Sequence, residues 1–232
     1  MFRFENVEKH YVRRGDRVTA VDCRDLTIEK GDYVAIVGPS GSGKTTLLSL
    51  LGGMLSPTSG KVWLEETSIY DLTASQRSAL RSQRMGFVFQ TFNLIPYLTA
   101  LQNVQIPLCL LQLDRQEQER RAVEMLTRFG LGERLDHRPA ELSVGQQQRV
   151  ALSKTLVNDP QIILADEPTG NLDPESRESV LSAFDRAHQE GRTIVMVTHD
   201  PIAASRASCT LTLRQGVLQS CETVPVRQRQ SA

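Results

Sequence analysis

The chain has 232 residues, 27 Lys and Arg against 27 Asp and Glu, and 40% hydrophobic residues. That length suits one domain, or one domain with an inserted lobe, and the apolar share is enough for a packed core. Zero net charge excludes the broad basic face of a nucleic-acid binder, and the clusters Arg77–Arg84 and Arg115–Arg121 are diluted with Gln, Ser and Glu as on solvated helix faces.

Residues 2–12 and 17–28 read as β-strands joined by the turn Arg13-Arg14-Gly15-Asp16. A second turn, Glu29-Lys30-Gly31-Asp32, leads into the apolar run Tyr33-Val34-Ala35-Ile36-Val37. That run enters Gly38-Pro39-Ser40-Gly41-Ser42-Gly43-Lys44-Thr45-Thr46 directly. Buried strand, glycine loop and helix together are the setting of a phosphate-binding loop. A triphosphate crowds negative charge, so its cradle must bring many backbone N–H groups together. Gly38, Gly41 and Gly43 lack a Cβ and let main chain wrap the phosphates. The helix opening near Lys44 adds free N–H groups and a positive dipole end. Lys44 supplies a mobile charge for the β- and γ-phosphates, and Thr45 offers a hydroxyl to Mg²⁺.

That helix reaches about Leu51 and ends at Gly52-Gly53. A loop over Ser56–Gly60, a short strand over Lys61–Leu64, a helical stretch near Thr73–Gln83 and a strand over Met85–Gln90 follow. From Thr91 to about Ala140 the pattern is mostly helical. Arg115–Phe129 carries Ala122, Val123, Leu126 and Phe129 on one face and closes on Gly130. Residues 145–157 read as a further helix with Ser143 as its cap. The stretch of about 91–157 therefore reads as an inserted lobe within one domain spanning 1–232.

Gln161–Ala165 is a buried strand that ends in Asp166 and Glu167. In a parallel sheet the carboxyl ends of the strands line one crevice, the same edge that carries the phosphate loop. Asp166 can then hold a Mg²⁺ shell, and Glu167 can polarise an attacking water. Two helix-capping acids are the plainer alternative, but Pro168-Thr169-Gly170 delays the next helix until Asp173. Asp173 caps it, with Pro174 first and Gly191 past its end. Thr193–Thr198 is another apolar strand, followed by His199, where a lone histidine is usually structural. Cys209–Leu213 and Val217–Cys221 read as a hairpin, and the tail from Glu222 as loose.

The expected fold is α/β: a P-loop NTPase core with a mostly parallel sheet, an N-terminal antiparallel β subdomain and an inserted α-helical lobe. Met1–Glu5 lacks the apolar core of a signal peptide, and no stretch is apolar for long enough to span a bilayer. Cys23, Cys109, Cys209 and Cys221 form no C-x-x-C pair and read as reduced thiols.

Taken in order, these segments resemble the ATP-binding subunits of ATP-binding cassette (ABC) transporters over roughly residues 2–220. Lys44 and Thr45 fall in the Walker A loop; Asp166 and Glu167 match the Walker B aspartate and catalytic glutamate. Gln90 falls on the Q-loop, Leu142-Ser143-Val144-Gly145-Gln146 on the signature motif, Asn171-Leu172-Asp173 on the D-loop, and His199 on the switch histidine. Tyr11 falls where the family stacks an aromatic ring on adenine, although a hairpin aromatic serves packing equally well.

The resemblance implies an ATPase with Mg²⁺ held by Thr45, Gln90 and Asp166, in which Gln90 is also a catalytic-site residue that senses Mg²⁺ and links the core to the helical lobe. Glu167 would orient or deprotonate the attacking water, and His199 would hold the γ-phosphate. It also implies a head-to-tail homodimer in which Ser143, Val144, Gly145 and Gln146 of one copy meet the ATP of the other. Gly86–Pro96, Leu98–Val104 and Ala165–Asp173 are similar to the lipoprotein-release and macrolide-export ATPases. Those pair with a permease that carries an extracytoplasmic domain.

The expected partner is such a permease, seated near Thr91–Asn103, where Phe92, Leu94, Ile95, Tyr97 and Leu98 either receive it or pack the lobe. Membrane contact would come only through that permease, on the cytoplasmic face. The expected roles are export, lipoprotein release or mechanotransmission. The division-linked ATPases that control cell-wall hydrolases share every motif and are the alternative. Three departures stand out: Val144 where the family usually has Gly, Ser153-Lys154-Thr155 for Ala-Arg-Ala, and Glu66 for a turn glycine.

Overall fold

The structure, a computed structural model, describes residues 1–13, 15–111, 113–170 and 172–223. Asn171 of the expected D-loop, Arg14 of the first turn and the tail from residue 224 lie outside the described residues.

Strands β1 (Phe2–Arg13) and β2 (Asp16–Ile28) form a long antiparallel hairpin, with Phe2 opposite Ile28 and Arg13 opposite Asp16. Phe2, Phe4, Val21, Cys23, Leu26 and Ile28 are buried, the period-2 pattern of a strand pair with one face in the core. Strand β4 (Ser59–Leu64) joins the other side of β1, and β5 (Thr67–Ser68) folds back on it through a two-residue turn. Glu65, not Glu66, takes the left-handed conformation there, with φ 54°. The absence of glycine at 66 therefore carries no strain.

Strands β3 (Tyr33–Val37), β6 (Met85–Phe89), β7 (Ile162–Asp166), β8 (Thr193–Val197) and β9 (Cys209–Arg214) run parallel, in the order β9-β3-β8-β7-β6. Strand β10 (Val217–Thr223) returns antiparallel on β9 and touches β2, which joins both halves into one ten-stranded sheet. Glu222 and Thr223 continue β10, opposite Thr210 and Cys209, so the tail is not loose from Glu222 onward. Cys209 is disulfide-bonded, which corrects the reading of it as a reduced thiol. Cys23 and Cys109 are free thiols.

The central strands are apolar over nearly all of their length because helices cover both faces. Tyr33 and Ala35 of β3 join one apolar cluster, Val34 and Ile36 the other. Helix α1 (Lys44–Leu51) fills the second cluster with Leu47, Leu48, Leu50 and Leu51. Helix α2 (Ala74–Arg84) starts at a capping box formed by Thr73 and Gln76.

Helices α3 (Ala100–Leu108), α4 (Arg115–Arg128) and α5 (Val144–Leu156) pack on one another as the expected lobe. Their Val104, Leu126 and Val150 share one cluster with Tyr33 and Ile163 of the sheet, so the lobe has no separate core. Helix α6 (Pro174–Gln189) lies on the same side, capped by Asp173, and the short α7 (Pro201–Ala204) follows β8.

The segment 91–99 holds no helix. Buried Asn103 explains why: its Oδ1 accepts from Ile95 N at 2.8 Å, and its Nδ2 donates to the carbonyls of Ile95, Leu98 and Thr99. That side chain replaces the backbone bonds a helix would have made. No helix among the described residues is long and apolar enough to cross a membrane.

Candidate functional site

Strand register assembles the site. Phe89 of β6 lies level with Asp166 of β7, Asp166 with Val197 of β8, and Val197 with Ile36 of β3. All four strands thus end at one height, and the next residues of each leave the same edge: Gln90, Glu167, Thr198-His199 and Val37-Gly38. They converge on a cavity of about 750 Å³ lined by the loop residues Gly38–Gly41 and Gly43–Thr46 together with Gln90, Asp166, Glu167 and His199. Four separate stretches of sequence therefore meet in one pocket, the crevice expected of a parallel sheet.

Gly43 caps α1 at φ 102°, with no side chain bonded to the helix start. A Cβ there would come within 1.9 Å of Ala20 O on β2, so the loop can lie against the sheet only with glycine. Lys44 Nζ donates to Gly38 O and Pro39 O, both at 2.9 Å, which holds the ammonium across the mouth of the loop. Ser42 differs from its neighbours. Its side chain is buried, its hydroxyl has no partner among the described residues, and it does not line the cavity. Any part it plays in phosphate binding must come through its backbone.

The two adjacent carboxylates have different surroundings. Burial pushes the Asp166 carboxyl above its ordinary range. The nearby Glu167 charge adds to this, while a hydrogen bond from Thr45 and the charge of Lys44 oppose it. An anion destabilised by burial and bonded to a threonine hydroxyl, with the Gln90 amide in the same cavity, is a hard-oxygen set that suits Mg²⁺.

Glu167 takes a left-handed backbone, φ 50°, fixed by Glu167 N donating to Val197 O at 2.9 Å and Gly170 N to Glu167 O at 3.2 Å. Strain of this kind persists only where the surroundings impose it, and it gathers at functional sites. The conformation turns Glu167 toward β8. There its Oε2 lies 2.8 Å from His199 Nδ1 and accepts from His199 N at 3.3 Å. His199 is itself mostly exposed, unlike a core histidine.

The structure adds residues that sequence reasoning missed. Val18, Thr19 and Ala20 form a wall of the cavity. Nothing in a strand sequence marks such a wall, because only the fold places β2 over the loop. Tyr11 pairs with Val18 across the hairpin and stays outside that wall, partly exposed, with Lys9 Nζ 5.5 Å above its ring. Gln148 of α5 is fully buried and donates from Nε2 to Pro168 O at 2.8 Å, which ties the helix to the residue after Glu167.

Ser143, Val144, Gly145 and Gln146 open α5 away from the cavity. Ser143 Oγ accepts from Gln146 N, and Gln146 Oε1 accepts from Ser143 N. A Cβ on Gly145 would come within 2.2 Å of Ser176 Oγ, so this glycine lets α5 and α6 touch within one chain. Asp173 Oδ1 accepts from the N–H groups of Glu175 and Ser176 and also lies outside the cavity.

A second cavity of about 370 Å³ lies between α2, β6 and the end of α5, with Met54, Phe87, Phe92, Leu110, Arg81 and Lys154 among its lining residues. Of the segment 91–103, only Phe92 and Asn93 line it. Leu94 packs on the core and Tyr97 stands 73% exposed outside it. Most of the segment 91–103 thus lies outside this cavity, which α2, β6 and α5 build beside a segment that Asn103 folds back on itself.

Residues 21–170 match the protein-family model described as ABC transporter. The chain is 44% identical over 218 residues to the ABC transporter ATP-binding protein YvrO of Bacillus subtilis, covering 94% of this chain and 95% of that one. It is 45% identical over 212 residues to the macrolide export ATP-binding/permease protein MacB of Bartonella quintana, covering 91% of this chain and 32% of that one. The chain thus spans about a third of the length of such MacB relatives. Among solved structures it is similar to the ATP-binding cassette MJ0796, in a dimeric post-hydrolysis state bound to ADP and Pi. The TM-score is 0.90 at 38% identity, covering 96% of this chain and 98% of that chain.

Proposed function

The chain belongs to the ABC transporter family, and from that premise we propose that it is the ATP-hydrolysing subunit of a complex for export, lipoprotein release or mechanotransmission. The observation that carries this reading is the level ending of β3, β6, β7 and β8, which gathers Lys44, Gln90, Asp166, Glu167 and His199 into one pocket. The MacB relatives support the export side; none of the relatives above supports the division-linked alternative.

In this reading Lys44 and the open first turn of α1 hold the β- and γ-phosphates. Glu167 orients the attacking water and accepts its proton at Oε2, the oxygen that His199 steadies. His199, exposed beside it, donates to the γ-phosphate. Thr45, Gln90 and Asp166 would hold Mg²⁺, which when bound neutralises charge on the β- and γ-oxygens.

Ser143 faces outward at the start of α5, so the pocket is completed by a second copy set head to tail. The dimeric state of MJ0796 supports that pairing. The groove beside β6 is the seat for the permease. Among the described residues its lining carries Arg81 and Lys154 and no carboxylate, so the receiving surface suits an apolar helix bearing an acidic residue.

The test is Glu167→Gln in the full chain. Phosphate release should fall by at least about 100-fold, the scale of a lost general base. ATP should still bind and should now accumulate a dimer visible by light scattering. Wild-type turnover in this variant would overturn the assignment.

A further inference from the structure

The last turn of α5 carries Lys154 and Thr155, two of the positions where the chain departs from the related pattern. Both bond outside the helix. Among the described residues, strand β6 is an edge of the sheet. Thr155 Oγ1 shares its hydrogen between Phe87 O of that strand, at 2.8 Å, and Ala151 O of its own helix, at 2.9 Å.

Lys154 Nζ donates to Asn93 O at 2.9 Å, in the turn that leaves β6. That turn is tight: Phe92 N donates to Phe89 O at 3.3 Å and Asn93 N to Thr91 O at 2.5 Å. Phe92 and Asn93 both take left-handed backbone, φ 53° and 52°. Two consecutive non-glycine residues in that region are strained and persist only where neighbours hold them. Gln90 sits inside this turn, with its Nε2 3.1 Å from where a Cβ on Gly170 would stand, in the nucleotide pocket.

We propose that Lys154 is a positioning residue for ATP hydrolysis: its ammonium holds the strained turn 89–93 against α5, and so keeps Gln90 in the nucleotide pocket. Lys154 lines the second cavity and lies outside the nucleotide pocket. It acts through Gln90, and it lies where the permease groove meets that turn. Helix α5 makes the connection rigid. Its first turn presents Ser143, its middle is tied to Pro168 through Gln148, and its last turn holds Asn93.

The proposal rests on the ATPase reading for its consequence but not for its geometry, so two measurements separate them. Lys154→Met keeps the apolar stem and loses the donor, whereas Lys154→Arg keeps a donor. In the Met variant, amide hydrogen exchange over residues 89–95 should quicken about tenfold while α6 and the core strands stay unchanged. Its kcat should fall about fivefold with KM for ATP unchanged, the pattern of a lost positioning contact. The Arg variant should return both toward wild type. Unchanged exchange at 89–95 in the Met variant overturns the proposal, as does exchange quickened equally throughout the chain, the sign of a merely structural lysine. A wild-type chain that hydrolyses no ATP would fell the ATPase reading, and the exchange measurement would still decide the role of Lys154.

Discussion

Helices α1 and α5 both begin beside a glycine that permits close packing, yet their first turns are closed in opposite ways. Helix α1 starts at Gly43 with no capping side chain, so its leading N–H groups stay free for phosphate oxygens. Helix α5 starts at Ser143 in a reciprocal capping box with Gln146, which satisfies two such groups from within. The hydroxyl of Ser143 accepts from Gln146 N and keeps its own hydrogen to donate. One helix start is thus a multidentate cradle ready in the single chain; the other offers a single outward hydroxyl on a pre-stabilised helix. A site built from both, one from each copy, would bind nucleotide before pairing and gain its last donor only on closure.

The hardest blow to this contrast is Gly43→Ala. The new methyl would meet Ala20 O, and alanine disfavours φ 102°. Strain and overpacking together cost roughly 3 kcal/mol or more. ATP affinity of the isolated chain, measured by titration with a fluorescent nucleotide, should collapse. Near-normal affinity would mean that the cradle can form without the left-handed glycine.

Ser143→Ala should act more gently and at a different stage. Losing the cap costs about 1 kcal/mol of stability, seen as a lower Tm. Nucleotide affinity of the single chain should stay unchanged, while ATP-driven pairing in the Glu167→Gln background weakens. If single-chain affinity falls instead, the signature turn belongs to its own chain's pocket and the division of labour between the helix starts is wrong.

The same contrast explains what could be read from the sequence. The cradle is a matter of local backbone, so Gly38-Pro39-Ser40-Gly41-Ser42-Gly43-Lys44 after an apolar strand was enough to place it. Asp166 and Glu167 were legible because a strand had to end there. The side chain of Glu167 swinging toward His199 was not, since it depends on a bond from Glu167 N to the neighbouring strand at Val197. Seats built from several elements left no trace in any one of them. The wall Val18–Ala20 and the groove between β6 and α5 are examples. Asn103 shows the same blindness: in sequence it is one more polar helix residue, and in the fold it organises residues 95–99.

Val144 gives the finest discrimination. It is the first residue of α5, its branched side chain is 48% exposed, and it lies beside the Ser143 hydroxyl. An apolar group there is not needed by its own chain, because nothing covers about half of it. Val144→Gly should therefore cost only about 0.5–1 kcal/mol of stability, the helix penalty of glycine. If the isopropyl group holds the partner's γ-phosphate away from Ser143, its removal should raise kcat about threefold, equivalent to about 0.7 kcal/mol of barrier. KM should hardly move, since the first contact with ATP is made by the α1 cradle. Steady-state ATPase assays across ATP concentration read both quantities. A threefold gain confined to kcat would place residue 144 in the closed interface, whereas an unchanged rate would mean that the signature turn meets its partner through Ser143 and Gly145 alone.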